Sequence, residues 1–194
     1  MSNTPNLERF IKDTIFDLVS NEVSIELTHR KTHFNFFDED NKQIQVRIQD
    51  TIKEWGLIFI HEYCHYLQWK DGKYGSPMYG EAGGEIHLWI RKRIKLNKER
   101  VNLIANRIKR CELDCEKRVV NLINKYKLEV DTKSYIRNAN AYVFSYNMIK
   151  ERREWYKLGP QCVPEIIDIM PETFLSRYDR TPDKYRQLYL EHCI

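Results

Sequence analysis

The sequence predicts a helix-rich α+β fold, with one small antiparallel sheet near the N-terminus and helices through the rest. Three observations carry this. Apolar residues recur at helical spacing over most of the chain. The spacing changes to alternation only between residues 22 and 48. Glycine (7) and proline (6) are scarce among 194 residues, which leaves little room for long disordered or collagen-like stretches.

The elements follow in order. Residues 6–20 read as a first helix, with Leu7, Phe10, Ile11, Ile15, Phe16 and Leu18 mostly on one side. Val23, Ile25 and Leu27 alternate, as a strand does. Phe34 and Phe36 alternate, then Ile44, Val46 and Ile48, and Asp38-Glu39-Asp40-Asn41 between them reads as an acidic turn. Residues 22–48 are therefore expected to form a small antiparallel sheet containing a hairpin. Asp50 and Thr51 suit the N-cap of a helix reaching Lys70. Residues 71–84 hold most of the glycines and Pro77, and read as a loop shaping or covering a cleft. Helices are expected over about 85–95 and 98–126. Asp131 or Thr132 caps another, to about Lys157, where Gly159-Pro160 ends it. Residues 164–174 read as short and irregular. Pro182 suits the first turn of a last helix. One domain over residues 1–194 is expected: an N-terminal helix and sheet over 1–49, a motif helix over 50–70, and a helical remainder over 71–194.

Composition narrows the function classes. The chain is 42% hydrophobic and 31% charged, ordinary for a soluble globular protein and enough for a sizeable core. A net charge of +4 leaves nucleic-acid contact open without indicating it. No run of apolar residues is long enough for a membrane span, and the first residues lack the basic and apolar regions of a secretory signal. The five cysteines are Cys64, Cys111, Cys115, Cys162 and Cys193. An odd count without a signal favours reduced thiols in the cytoplasm. Cys111 and Cys115, one helical turn apart, read as small apolar residues on a buried face.

The functional signal lies in GLIFIHEYCHYLQW, Gly56 to Trp69. An apolar run draws a helix into the core, and His61, Glu62 and His65 resist burial unless something compensates them. His61 and His65 are four apart, offset by about 40° on a helix, so both imidazoles point one way. Glu62 lies about 100° from His61, within reach of the same place. Two neutral imidazoles hold Zn²⁺, a third ligand fixes it, and an open position takes water whose proton Glu62 removes.

The third ligand is sought among Glu81, Glu85, His87, Glu112, Asp114 and Glu116. In the helix over 98–126, Val101, Ile104, Ile108, Cys111, Cys115, Val119, Leu122 and Tyr126 form an apolar stripe. Glu112 falls inside that stripe, about 40° from Ile108, Glu116 at its margin near 80°, and Asp114 about 120° away. A carboxylate among core positions binds a metal, a base or a proton. Glu112 is therefore the expected third ligand, ahead of an ion pair with Arg107 or Arg118. Glu116, one turn on, is its expected partner in orienting an imidazole. Glu81 and Glu85 suit the start of a helix, where the dipole favours acids. His87 is the competing ligand.

HEYCH with ELDCE, residues 112–116, resembles the gluzincin zinc metallopeptidases, whose pattern is HExxH and a downstream ExxxD with the Glu on zinc. It is nearest to the small intracellular and phage-borne zincins. The resemblance implies a zincin-like domain in which His61, His65 and Glu112 bind zinc and Glu62 is the general base. It also implies an edge strand that receives extended substrate by β-addition. Glu116 stands where the pattern has Asp. A second resemblance, of HEYCHYLQWKDG, is to SprT-like proteases, which act near DNA. There His87 is the third ligand, although 22 residues after His65 is farther than that family spaces it.

The remaining patterns are weaker. Tyr135, Ala139, Tyr142, Tyr146 and Ile149 share a helix face and read as core, or as a source of an oxyanion-stabilising hydroxyl. Basic residues beside Trp89 (Arg91, Lys92, Arg93, Lys95) and beside Trp155 (Lys150, Arg152, Arg153, Lys157) read as solvated faces. The sequence thus predicts a cytoplasmic zinc metallopeptidase acting on a protein or peptide substrate. The alternatives are an SprT-like DNA-associated protease and an inert zincin-scaffold binding protein.

Overall fold

The computed structural model describes residues 4–29, 35–48, 51–73 and 81–194, without the side chains of residues 81 and 82. Seven α-helices and three strands occur among the described residues. No helix among them is long and apolar enough to cross a membrane. The chain forms two compact units, residues 1–80 with 118–130, and residues 81–117 with 131–194.

The first unit packs two helices and a small sheet. Helix α1 (Pro5–Ser20) buries Leu7, Phe10, Ile11 and Leu18. Its free N-terminal N–H groups are met by one side chain: Glu129 accepts from Asn6 N and Leu7 N, each at 3.1 Å. The strands are β1 (Ser24–Thr28), β2 (Phe36–Asp38) and β3 (Gln43–Arg47), in the order β1-β3-β2. Strands β2 and β3 form the expected hairpin, closed by Asp38, whose Oδ1 accepts from Asp40 N and Asn41 N. The sheet is mixed rather than antiparallel, because β1 runs parallel to β3, Ile25 opposite Ile44. The hairpin takes the central position for β3, which explains why Ile44, Gln45 and Val46 are all buried. In β2 the inward residue is Phe37, not Phe36; Phe37 packs on the rings of Tyr66 and Trp69 at 5.7 and 5.9 Å. Phe34 and Asp50 lie outside the described residues.

Helix α2 (Ile52–Lys70) carries the motif. Thr51 caps it, its N–H and hydroxyl both donating to Glu54 Oε2 at 3.1 and 2.9 Å. Gly56 lets α1 approach closely: a Cβ there would sit 2.9 Å from Ile11 Cδ1. Phe10 and Tyr63 continue that contact edge to face, and Tyr63 donates to Asp17 at 3.3 Å.

The second unit is helical. Helix α3 (Glu81–Ile90) starts four residues before the expected position and ends five residues sooner. Gly83 and Gly84, read as loop, lie inside it. Each glycine costs about 1 kcal/mol of helix propensity, and burial of Ile86, Trp89 and Ile90 against Val101, Ile104 and Ile108 outweighs it. Residues 74–80 of the expected loop lie outside the described residues. Helix α4 (Lys98–Tyr126) matches the expected bounds and contributes to both units. Helix α5 (Thr132–Arg152) is capped by Asp131, as expected, with its side chain accepting from Lys133 N and Ser134 N. It stops short of Lys157 because Arg153 turns left-handed, φ 56°, and donates to Trp89 O and Ile94 O at 2.7 and 3.2 Å. A 3-10 turn (Pro160–Cys162), α6 (Pro164–Asp168) and α7 (Asp183–His192) complete this unit.

A buried ammonium joins α4 to α5 and to the segment before α7. Lys109 Nζ donates to Asn147 Oδ1 at 2.8 Å and Tyr178 O at 3.0 Å. Burial, with Lys150 and Arg110 adding repulsion against the pull of Asp179, lowers its pKa from 10.5 to about 8. The unfolded chain therefore binds a proton above pH 8 that the fold releases, so stability should rise with pH across this window. The rise is up to about 2 kcal/mol between pH 8 and 9.5. Urea midpoints of wild type and Lys109→Met at about pH 8 and 9.5 check this, since the variant should lose the rise; parallel changes in both proteins would contradict it.

Candidate metal centre

Helix α2 presents the two histidines as the spacing requires. The ring nitrogens His61 Nε2 and His65 Nε2 stand 3.1 Å apart, and the rings meet edge to face at 84°. His65 is 6% exposed, Glu62 beside the pair is 6% exposed, and His61 is half-buried. One turn on, Gln68 Oε1 lies 2.8 Å from His65 Nδ1. An amide oxygen only accepts, so His65 Nδ1 carries the proton and its Nε2 turns a lone pair towards His61. That lone pair is met either by an Nε2–H of His61 or, where His61 Nε2 also carries a lone pair, by a metal ion shared between the two rings. Tetrahedral zinc with nitrogens at 2.0–2.1 Å holds them about 3.3 Å apart. The observed separation and donor chemistry fit that ion.

Gln68 was absent from the sequence expectations. Its signal was the three-residue step from His65, which sets two side chains on one helix face.

The downstream carboxylates lie in the second unit. Glu112 is 2% exposed and Glu116 5%, as their places in and beside the apolar stripe of α4 predicted. Asp114 is only half-buried. Glu112 Oε1 accepts from Tyr146 at 3.3 Å, and Glu116 Oε2 accepts from Tyr135 at 2.5 Å. Tyr142 and Tyr146 join hydroxyls at 2.8 Å. Burial, and then the Glu112 carboxylate, push both of these phenols well above their ordinary pKa, so they remain hydroxyls at neutral pH. The tyrosine face expected as core is thus also a row of donors to the two acids. Arg118, one of the bases considered for Glu112, donates to Asp71 at 2.7 Å.

The other candidates have local surroundings of their own. Glu85 accepts from Arg100 Nε at 2.8 Å and Nη2 at 2.5 Å, and this pairing holds its pKa low. Glu81 begins α3, and its side chain lies outside the described residues. His87 is half-buried with its ring 5.1 Å from that of Trp155. Burial, and then Arg91, lower its pKa, which keeps it neutral. Cys64, Cys111 and Cys115 are buried.

No protein family, curated relative or solved structure matches this chain. The functional reading rests on its own residues.

Proposed function

We propose that the chain is a zinc-dependent metallopeptidase, with His61, His65 and Glu112 as ligands and Glu62 as general base. The observation that supports this best is the histidine pair, with its nitrogens 3.1 Å apart and one tautomer fixed by Gln68. Zinc, when bound, supplies a Lewis acid that polarises a carbonyl and makes water acidic near neutral pH. The protein residues do the rest. His61 and His65 hold the ion as neutral donors. Glu112 adds a negative charge from α4. Glu62, held in place by the buried helix, takes a proton from the attacking water and returns it to the leaving amine. Glu116, one turn after Glu112, steadies the ligand shell. The substrate class is a protein or peptide, and the setting is the cytoplasm.

The test is cleavage of an unfolded protein and of a mixed peptide pool by the zinc-loaded chain. Cleavage should stop when a strong chelator removes the metal and return when zinc is restored. A zinc-loaded chain that cleaves neither substrate would overturn the proposal.

A further inference from the structure

We propose that Tyr135 and Tyr146 are positioning residues: from one face of α5 they clamp Glu116 and Glu112, and so set the orientation in which Glu112 meets the metal. The inference rests on the metallopeptidase reading and extends it to residues outside the HExxH and ExxxE motifs.

The geometry is specific. Tyr146 donates to Glu112 Oε1 at 3.3 Å, and Tyr135 to Glu116 Oε2 at 2.5 Å. The two tyrosines are eleven residues apart, three turns of helix, and therefore share a face. The two acids are four residues apart, one turn, and share a face of α4. One helix thus addresses both carboxylates of the other. The acids and Tyr146 are each no more than 6% exposed. At position 146 phenylalanine would fill the same volume without bringing a hydroxyl into the core, where it is costly unless bonded. The buried Tyr146 hydroxyl and the half-buried Tyr135 hydroxyl, each donating to one acid of a single motif, fit a role in fixing those acids.

The donor role is also fixed. The Tyr146 hydroxyl donates and the Glu112 carboxylate oxygen accepts. Tyr142, bonded to Tyr146 at 2.8 Å, limits where that hydroxyl can turn. Groups that hold a ligand from behind tune a metal site, and losing one typically costs about 10–100-fold in affinity.

The experiment uses the full chain, with zinc affinity read by competition against a chelating dye and apoprotein melting measured alongside. The variants are Tyr146→Phe, Tyr135→Phe and, as control, Tyr185→Phe. Tyr185 is buried like Tyr146 but donates to a backbone carbonyl, that of Ala141 on α5, at 2.7 Å. Tyr146→Phe should weaken zinc by about 10–100-fold, Tyr135→Phe should weaken it less, and Tyr185→Phe should leave it unchanged while lowering the melting temperature. With cobalt in place of zinc, Tyr146→Phe should also shift the visible spectrum. Wild-type affinity in both Tyr146→Phe and Tyr135→Phe would overturn the clamp and leave the metal reading standing. An equal loss in Tyr185→Phe would overturn it too, by showing that packing alone is at work. A wild-type chain that binds no zinc would remove the metal reading and the clamp with it.

Discussion

Glu62→Gln should lower peptide hydrolysis by about 10²–10⁴-fold, the usual contribution of a general base, while zinc stays bound. Glutamine keeps the shape of the side chain and one accepting oxygen but cannot take a proton from water. Glu62 is buried on α2 next to both histidines, so its helix and neighbours should tolerate the isostere. The histidines and Gln68 are untouched, and zinc affinity should move little. The two readouts, turnover and zinc content, separate this from a general loss of the site. Undiminished turnover in the zinc-loaded variant would exclude Glu62 from the chemistry. Loss of zinc together with turnover would show that Glu62 supports the metal and would contradict a purely proton-transferring role.

Glu112→Ala should weaken zinc binding more than Tyr146→Phe does, hence by more than about 100-fold on the scale set by residues behind the ligands. The expected effect on the apoprotein differs in kind. A carboxylate 2% exposed is expensive to bury, and removing it relieves that cost. Tyr146 loses one acceptor but retains the Tyr142 hydroxyl. Apoprotein melting should therefore change little while zinc affinity collapses. Competition with a chelating dye and thermal unfolding of the metal-free chain measure the two sides. Unchanged zinc affinity would remove Glu112 from the ligand set and direct the search to His87.

Much of the helical architecture was legible in the sequence, because each element had a local cause. The stripe from Val101 to Tyr126 has one period without a glycine or proline, and α4 has the predicted bounds. Asp131 caps α5 and Thr51 caps α2 as their side chains suggest. What escaped was decided by contacts distant in sequence. The parallel pairing of β1 with β3 leaves no mark on either strand's alternation. Arg153 ends α5 because carbonyls more than fifty residues away accept from it. Gly83 and Gly84 read as loop, yet the burial of Ile86 and Ile90 keeps them helical. The site divides the same way. The convergence of His61 and His65 and the burial of Glu112 follow from helical phase. Tyr135 and Tyr146 as donors to the acids do not, since an aromatic stripe reads equally well as packing.

The central claim is a metal held by two imidazoles and a carboxylate, and zinc-edge X-ray absorption of the loaded full chain tests it most directly. The account predicts one zinc per chain, a shell of nitrogen and oxygen at about 2.0–2.1 Å with two imidazole signatures, and no sulfur. Cys64 and Cys115 are buried thiols on the same two helices as the proposed ligands, which makes the sulfur question a real one. A sulfur shell at about 2.3 Å, or a chain that takes up no zinc, would contradict the account.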